Sequence, residues 1–103
     1  MSKVKLAYQV YDEGEPEYVV VDYIVEAKGG GNIDFAVKHE CVVDGEVIQS
    51  RTNRVYWSGK GQDRAGHWNL RVPRGGTCTA VVIDLDAGKA ELTDPVEYVA
   101  EVA

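Results

Sequence analysis

The residues of this 103-residue chain best suited to chemistry by type and spacing are His39 and Cys41, in the alternating stretch IDFAVKHEC. Side chains two apart on an extended strand point to the same face, so the imidazole and the thiol would be neighbours. Both groups are common zinc ligands, but a structural zinc site takes four ligands at close spacing. His67 lies on a different predicted strand and does not complete the set. The ligand count therefore favours a half-buried histidine with a hydrogen-bonded ring.

No other set of residues indicates catalysis. The sequence contains cysteine and histidine, but no signature links them to an orienting acid, and an apolar strand face does not stabilise a thiolate. Paired carboxylates that cleave glycosides need a deep cleft, which a domain of this size hardly offers. We therefore expect a protein that is not an enzyme and that uses no cofactor.

The glycine-rich stretches GGGN at 29–32 and GKGQDRAG at 59–66 share only their composition with phosphate-binding loops. Neither fits G-x-x-x-x-G-K-[ST], and neither leads into a helix whose N-terminus could hold an anion. The stretch VPRGGTCTAVVIDLD at 72–86 fails the same test. Its glycines are expected to turn the chain into an apolar strand.

Three acids near the end of that stretch, Asp84, Asp86 and Glu91, could supply oxygen ligands to a cation such as Ca²⁺. Their spacing is not that of an EF-hand, because Gly88 comes one position early. The alternative is that acids at a hairpin end keep a sheet edge soluble.

Charge is distributed unevenly along the chain. The net charge is −6, yet the segment 51–74 carries +5 and the remainder −11. Because phosphate contacts need a positive surface, the overall charge disfavours a general nucleic-acid binder. In the basic segment, however, aromatic residues adjoin cations, a mixture that stacks on sugars or bases and contacts anions. The candidate binding residues are Arg51, Arg54, Tyr56, Trp57, Lys60 and Arg64.

The aromatic residues of that segment also have a structural interpretation, because aromatics at strand ends seal a hydrophobic core. Trp68 is expected to point inward by its alternation with Leu70 and Val72. Trp57 is the better candidate for the surface.

Alternation with a period of two dominates the sequence, and helical periodicity is nearly absent. The pattern predicts an all-β, antiparallel two-sheet sandwich of about seven strands, forming a single domain over 1–103. Asp44-Gly45 is the strongest hairpin signal, and the long, polar strand after it is expected to be an edge strand or to bend between sheets. The longest apolar run is far shorter than the roughly 20 residues that span a bilayer. We therefore expect no membrane insertion.

The stretch PRGGTCTAVVID at 73–84 and the earlier Asp44-Gly45 hairpin resemble features of immunoglobulin-like and fibronectin type III-like sandwiches. In these domains a proline-glycine-threonine turn precedes an alternating penultimate strand. The pattern is most similar to that of the CARDB-like prokaryotic cell-adhesion modules. The resemblance implies an immunoglobulin-like fold, and an extracellular or cell-surface location if the chain is part of a larger protein.

The same resemblance implies a position for the two cysteines. In an immunoglobulin-like topology the third strand, 33–42, and the penultimate strand, 77–85, are antiparallel neighbours. Cys41 would then lie beside Cys78, either bonded to it as a disulfide or as one of two buried free thiols. With His39, the pair would supply three metal ligands, again without an obvious fourth.

These features predict a non-catalytic adhesion, spacer or protein-interaction module, part of a larger or surface-associated protein. Its partner would be another protein or a cell-surface polymer, docked on loops or on an exposed edge strand. The alternative is a module that binds an anionic polymer, polysaccharide or nucleic acid through the segment 51–74. Loss of binding with added salt would favour that alternative.

Overall fold

A computed structural model describes residues 3–28, 32–58, 64–86, 88 and 90–102. This part of the chain consists of β-strands joined by turns, as the alternating sequence predicts. None of its elements is a helix long and apolar enough to cross a membrane. The strands are β1 (Lys3–Tyr11), β2 (Tyr18–Lys28), β3 (Asn32–Val43), β4 (Glu46–Ser58), β5 (Arg64–Pro73), β6 (Thr77–Asp84), β7 (Ala90–Glu91) and β8 (Val96–Val99).

The strands form two antiparallel sheets. The three-stranded sheet has the order β1-β2-β5, and the five-stranded sheet has the order β4-β3-β6, with β7 and β8 both paired to β6. The predicted all-β, antiparallel two-sheet sandwich is therefore confirmed, and its strand order is consistent with an immunoglobulin-like fold. The additional strand is β7, a two-residue pairing within a segment whose sequence predicts only a long connection.

The core lies between the sheets and is built from the inward faces of their strands. On β2 the alternating residues Val19, Val21 and Tyr23 are completely buried, and on β3 Phe35 and Val37 are equally inaccessible. β-Branched side chains fit this surface because they pack closely on a pleated sheet. Burying each of these side chains contributes about 1.5–3 kcal/mol. Among the side chains that the structure describes, the core also encloses the polar ring of His39.

Two turns depend on unusual backbone conformations. Asp44 and Gly45 both have positive φ, 52° and 78°, which confirms the hairpin that the sequence predicts there. In the turn before β6, Gly75 has a φ of 81°. A Cβ added at Gly76 would lie 3.2 Å from the carbonyl oxygen of Pro73. The glycines of VPRGGT thus shape the entry to a strand, as expected.

The predicted edge strand is confirmed as β4, at one end of the five-stranded sheet. Cys41 pairs with Gln49 and Val42 with Val47, so Ile48 is the extra residue of a β-bulge. Beyond the bulge, Gln49 Nε2 donates a hydrogen bond to the carbonyl oxygen of Arg71 on β5, at 3.0 Å. This contact joins the edges of the two sheets.

Candidate functional site

The two cysteines meet in the middle of the five-stranded sheet. Strands β3 and β6 are antiparallel neighbours, and Cys41 lies directly opposite Cys78 in their register. The Cα atoms are 4.1 Å apart and the sulfur atoms are bonded, with an S–S distance of 2.12 Å. The predicted proximity of these residues is confirmed, and of the two alternatives the structure has the disulfide. Both side chains are inaccessible to solvent.

His39 adjoins this disulfide. It lies two residues before Cys41 on the same face of β3, and its Nε2 is 3.2 Å from Cys41 Sγ. The ring is completely buried, and Nδ1 has no hydrogen-bond partner within the described chain. Burial, together with the positive charge of Arg51, lowers the pKa of His39 to about 4. The imidazole is therefore neutral at physiological pH, but only one of its nitrogens has a polar neighbour.

An aromatic group encloses the same region. The hydroxyl groups of Tyr23 and Tyr98 share a hydrogen bond across the two sheets. The ring of Tyr23 also contacts His39 edge-on, with centroids 5.6 Å apart, and stacks on Trp68 at 5.2 Å. Burial raises the pKa of Tyr98 to about 12 and that of Tyr23 still further. Both hydroxyl groups therefore stay protonated. Trp68 lies at the edge of the core, as its alternation predicts.

The basic segment 51–74 is spread over several surfaces. Arg51 pairs with His39 and Arg54 with Ala36, so these two arginines, three residues apart on β4, point to opposite faces. Arg71 lies on the other sheet, with its guanidinium carbon 4.9 Å from the centre of the Tyr18 ring. The side chains of the remaining candidates lie outside the described residues, and their role stays a prediction: Tyr56, Trp57, Lys60 and Arg64.

Arg74 has a structural role that its sequence context does not reveal. Its guanidinium donates hydrogen bonds to both carboxylate oxygens of Asp12, at 2.9 and 3.2 Å. It also donates to the carbonyl oxygens of Glu15 and Tyr18. These contacts connect the turn before β6 to the turn between β1 and β2. The Arg74 hydrogen bond lowers the pKa of Asp12 and raises that of Arg74 itself.

The acids proposed as calcium ligands lie at the end of β6. The Asp84 carboxylate accepts a hydrogen bond from the backbone N–H of Asp86 at 2.9 Å. This contact closes a local turn of the kind that aspartate commonly forms. Glu91 pairs with Ile83 through β7.

The outer face of the five-stranded sheet carries a feature that the sequence analysis missed. Val42 pairs with Val47 on one side and with Thr77 on the other, and Thr77 pairs with Val99. Because Cys41 and Cys78 point inward, their neighbours Val42 and Thr77 point outward. The four residues form a continuous row across β4, β3, β6 and β8, here called the valine row. Only the strand register, which requires the structure, could reveal it.

The valine row is open to solvent at both ends. Val47 is 51% exposed and Val99 is 52% exposed. The next outward row contains Glu40, paired with Ser50 and with Thr79, which in turn pairs with Glu97. A pocket of about 230 Å³ adjoins this second row and is lined in part by Lys38, Glu40, Thr79 and Val81. The face thus offers an apolar strip beside an acidic border and a small depression.

Comparisons with known proteins give a likeness of fold. No family model and no curated protein matches the chain, so the similarity to CARDB-like modules has no support. Among solved structures, β-glucosidase 3B from Thermotoga neapolitana is similar, with 12% identity and a TM-score of 0.52. The match covers 99% of this chain but only 16% of that chain. At this identity the likeness shows a shared two-sheet fold alone.

Proposed function

We propose that this chain is a non-catalytic protein-interaction module that docks through the outer face of its five-stranded sheet. The valine row is the observation that carries the proposal. Its two terminal valines are each more than half exposed, whereas the valines on the inward faces of β2 and β3 are buried. Three valines and Thr77 lie side by side across four strands, so the exposed valines are part of one row and are not scattered singly.

The surroundings of the valine row indicate what kind of protein would bind. The adjacent row presents the carboxylates of Glu40 and Glu97, so charge complementarity favours a partner with an apolar strip bordered by lysine or arginine. The 230 Å³ pocket beside Glu40 is also lined by Lys38, so it suits an uncharged side chain of the partner better than a second cation. A polar border around an apolar centre is the usual anatomy of a protein interface.

The match to the longer chain supports the idea of a module. In β-glucosidase 3B the matching region is 16% of the chain, so a fold of this kind occurs there as one part of a larger protein. An adhesion or spacer role in a larger or surface-associated protein would use the same docking face. The alternative, capture of an anionic polymer by the segment 51–74, would use different residues and would respond to salt.

The test begins with a photocrosslinking residue at Thr77, the centre of the valine row. A partner that crosslinks there in cells is identified and purified, and its binding is measured by calorimetry. V47T/V99T should weaken binding about tenfold or more, because two apolar contacts are lost. I24T is the matched control, since Ile24 is 36% exposed on the other sheet. It should leave the affinity unchanged.

Two results would overturn the docking proposal. One is a purified partner whose affinity is the same for the wild-type chain and V47T/V99T. The other is the absence of any discrete crosslinked partner, together with retention on heparin that falls steeply with salt and is lost in R51Q/R54Q. The second result would favour the anionic-polymer alternative instead.

A further inference from the structure

We propose that, when its disulfide is reduced, the chain binds one Cu⁺ ion between His39, Cys41 and Cys78. Ligand atoms of these three residues all lie within 4.8 Å of one another. Each of the three side chains is completely buried. The proposal concerns the interior of the sandwich and does not depend on the docking role of its surface.

The spacing between the imidazole and the nearer sulfur already suits a shared metal ion. His39 Nε2 and Cys41 Sγ are 3.2 Å apart. With bond lengths like those of zinc, about 2.0–2.1 Å to nitrogen and about 2.3 Å to sulfur, a planar three-ligand ion holds two such donors about 3.8 Å apart, so only a small outward shift is needed. Cys78 lies directly across the strand pair from Cys41, with a Cα separation of 4.1 Å. Rotation of the two freed side chains would then let both sulfurs face the ion.

The number and type of donors favour Cu⁺ over zinc. Structural zinc sites take four protein ligands, and no fourth His, Cys, Asp or Glu within the described chain joins this group. Cu⁺ is a soft ion that thiolates select, and three donors satisfy it. His39 is placed to supply the third donor because its Nε2 faces Cys41 Sγ at 3.2 Å.

The charge of the complex also fits its surroundings. Two thiolates and one Cu⁺ carry a net charge of −1, which would be costly to bury alone. Arg51 is directly opposite His39 in the β3–β4 register, on the same face of the sheet. The guanidinium would offset the negative charge of the copper site. With Zn²⁺ the same site would be neutral and would gain nothing from Arg51.

The site forms by reduction followed by exchange of protons for metal. A dithiol reductant supplies two electrons and two protons, and is itself oxidised to a disulfide. The S–S bond between Cys41 and Cys78 breaks to give two thiols. Cu⁺ then replaces both thiol protons, which pass to solvent, and no further electron transfer takes place.

The experiment compares the same chain in its two redox states without oxygen. The reduced protein, freed of dithiol by desalting, is titrated with Cu⁺ held by a chromophoric chelator. It should remove one equivalent of Cu⁺, whereas the disulfide form should remove none. Because binding to the folded state alone is stabilising, Cu⁺ should also raise the melting temperature of the reduced protein.

The H39Q variant tests the contribution of the third ligand. It keeps both cysteines, so its Cu⁺ affinity should fall at least tenfold while its near-ultraviolet circular dichroism stays that of a folded chain. X-ray absorption of the wild-type complex should show two sulfur donors and one nitrogen donor. C41S/C78S should bind no Cu⁺.

Four outcomes would overturn the copper proposal: no Cu⁺ transfer to the reduced chain, equal uptake by H39Q, preferential retention of Zn²⁺ in direct competition, and a reduced chain that stays unfolded in the presence of Cu⁺. The last outcome matters because cysteines in an unfolded chain can also bind copper. A folded signal in the circular dichroism spectrum must therefore accompany the titration.

Discussion

The two faces of β3 differ in how far their side chains are buried. Inward, His39 and Cys41 are completely buried and connect with Tyr23 and the disulfide. Outward, Val42 belongs to a row that is open to solvent at both ends. Adjacent residues on one strand thus serve opposite purposes. The inward face holds the two sheets together, while Val42 on the outward face belongs to a row whose end valines are exposed.

Because of this difference, residues on the inward face should determine stability, and residues of the valine row should determine binding. Residues on the inward face contribute to the free energy of unfolding because the folded state removes them from water. Residues of the valine row gain little on folding, since more than half of each terminal valine remains exposed. Substitutions on the two faces should therefore have different effects, and the following predictions run from the largest effect to the smallest.

Removal of the disulfide should have the largest effect. Cys41 and Cys78 are 37 residues apart in sequence, and a cross-link closing a loop of that length stabilises by about 4 kcal/mol in the chain-entropy model. We expect C41A/C78A to lower the free energy of unfolding, measured by urea denaturation, by about that amount. The matched control V42A/T77A changes the adjacent outward pair and should cost within about 1 kcal/mol. Equal losses in the two variants would show that the faces do not differ.

Lowering the pH should reduce the free energy of unfolding, because the buried His39 resists protonation in the folded chain. The unfolded chain takes up a proton near the ordinary histidine pKa of 6.5, whereas the folded chain resists until about pH 4. Between these values the unfolded state binds more protons, so stability falls as the pH falls. The loss from this residue should approach roughly 3 kcal/mol at pH 4 and then level off.

The H39Q variant separates this effect from the titration of carboxylates. Acidic residues titrate in both proteins, so the informative quantity is the difference between the wild-type and H39Q unfolding free energies across this pH range. The wild-type free energy of unfolding minus that of H39Q should fall as the pH is lowered. A difference that does not change with pH would mean that His39 has the same pKa in the folded and unfolded chains. The ring would then be protonated in the folded chain at acid pH or remain in contact with water.

Much of the inward face could be predicted from the sequence, because alternation with a period of two assigns each residue to a face. The neighbouring positions of Cys41 and Cys78 needed one further step, the topology implied by the resemblance to immunoglobulin-like sandwiches. Whether the sulfurs are bonded could not be predicted, since the same sequence is compatible with two free thiols. The location of Trp68 at the core edge needed only its alternation.

The outward row could not be predicted because it depends on pairing between distant segments. Val47 reaches the register of Val42 only through the bulge at Ile48, and no local pattern specifies that shift. Val99 joins the row through its pairing with Thr77, across strands of different lengths. Arg74 was similarly unpredictable. It counts as a cation in the basic segment, yet in the structure it binds the turn that contains Asp12.

The smallest expected effect gives the sharpest comparison of the two faces. The same chemical change, valine to threonine, can be made outward in V47T/V99T and inward in V37T. The outward variant should keep its unfolding free energy within about 0.5 kcal/mol of the wild type, since water already contacts both positions. Val37 is completely buried. Unless the new hydroxyl group of V37T finds a hydrogen-bond partner, the free energy of unfolding should fall by about 1–3 kcal/mol. If V47T/V99T destabilised the chain as much as V37T does, the row would be part of the core and could not serve as a free docking surface.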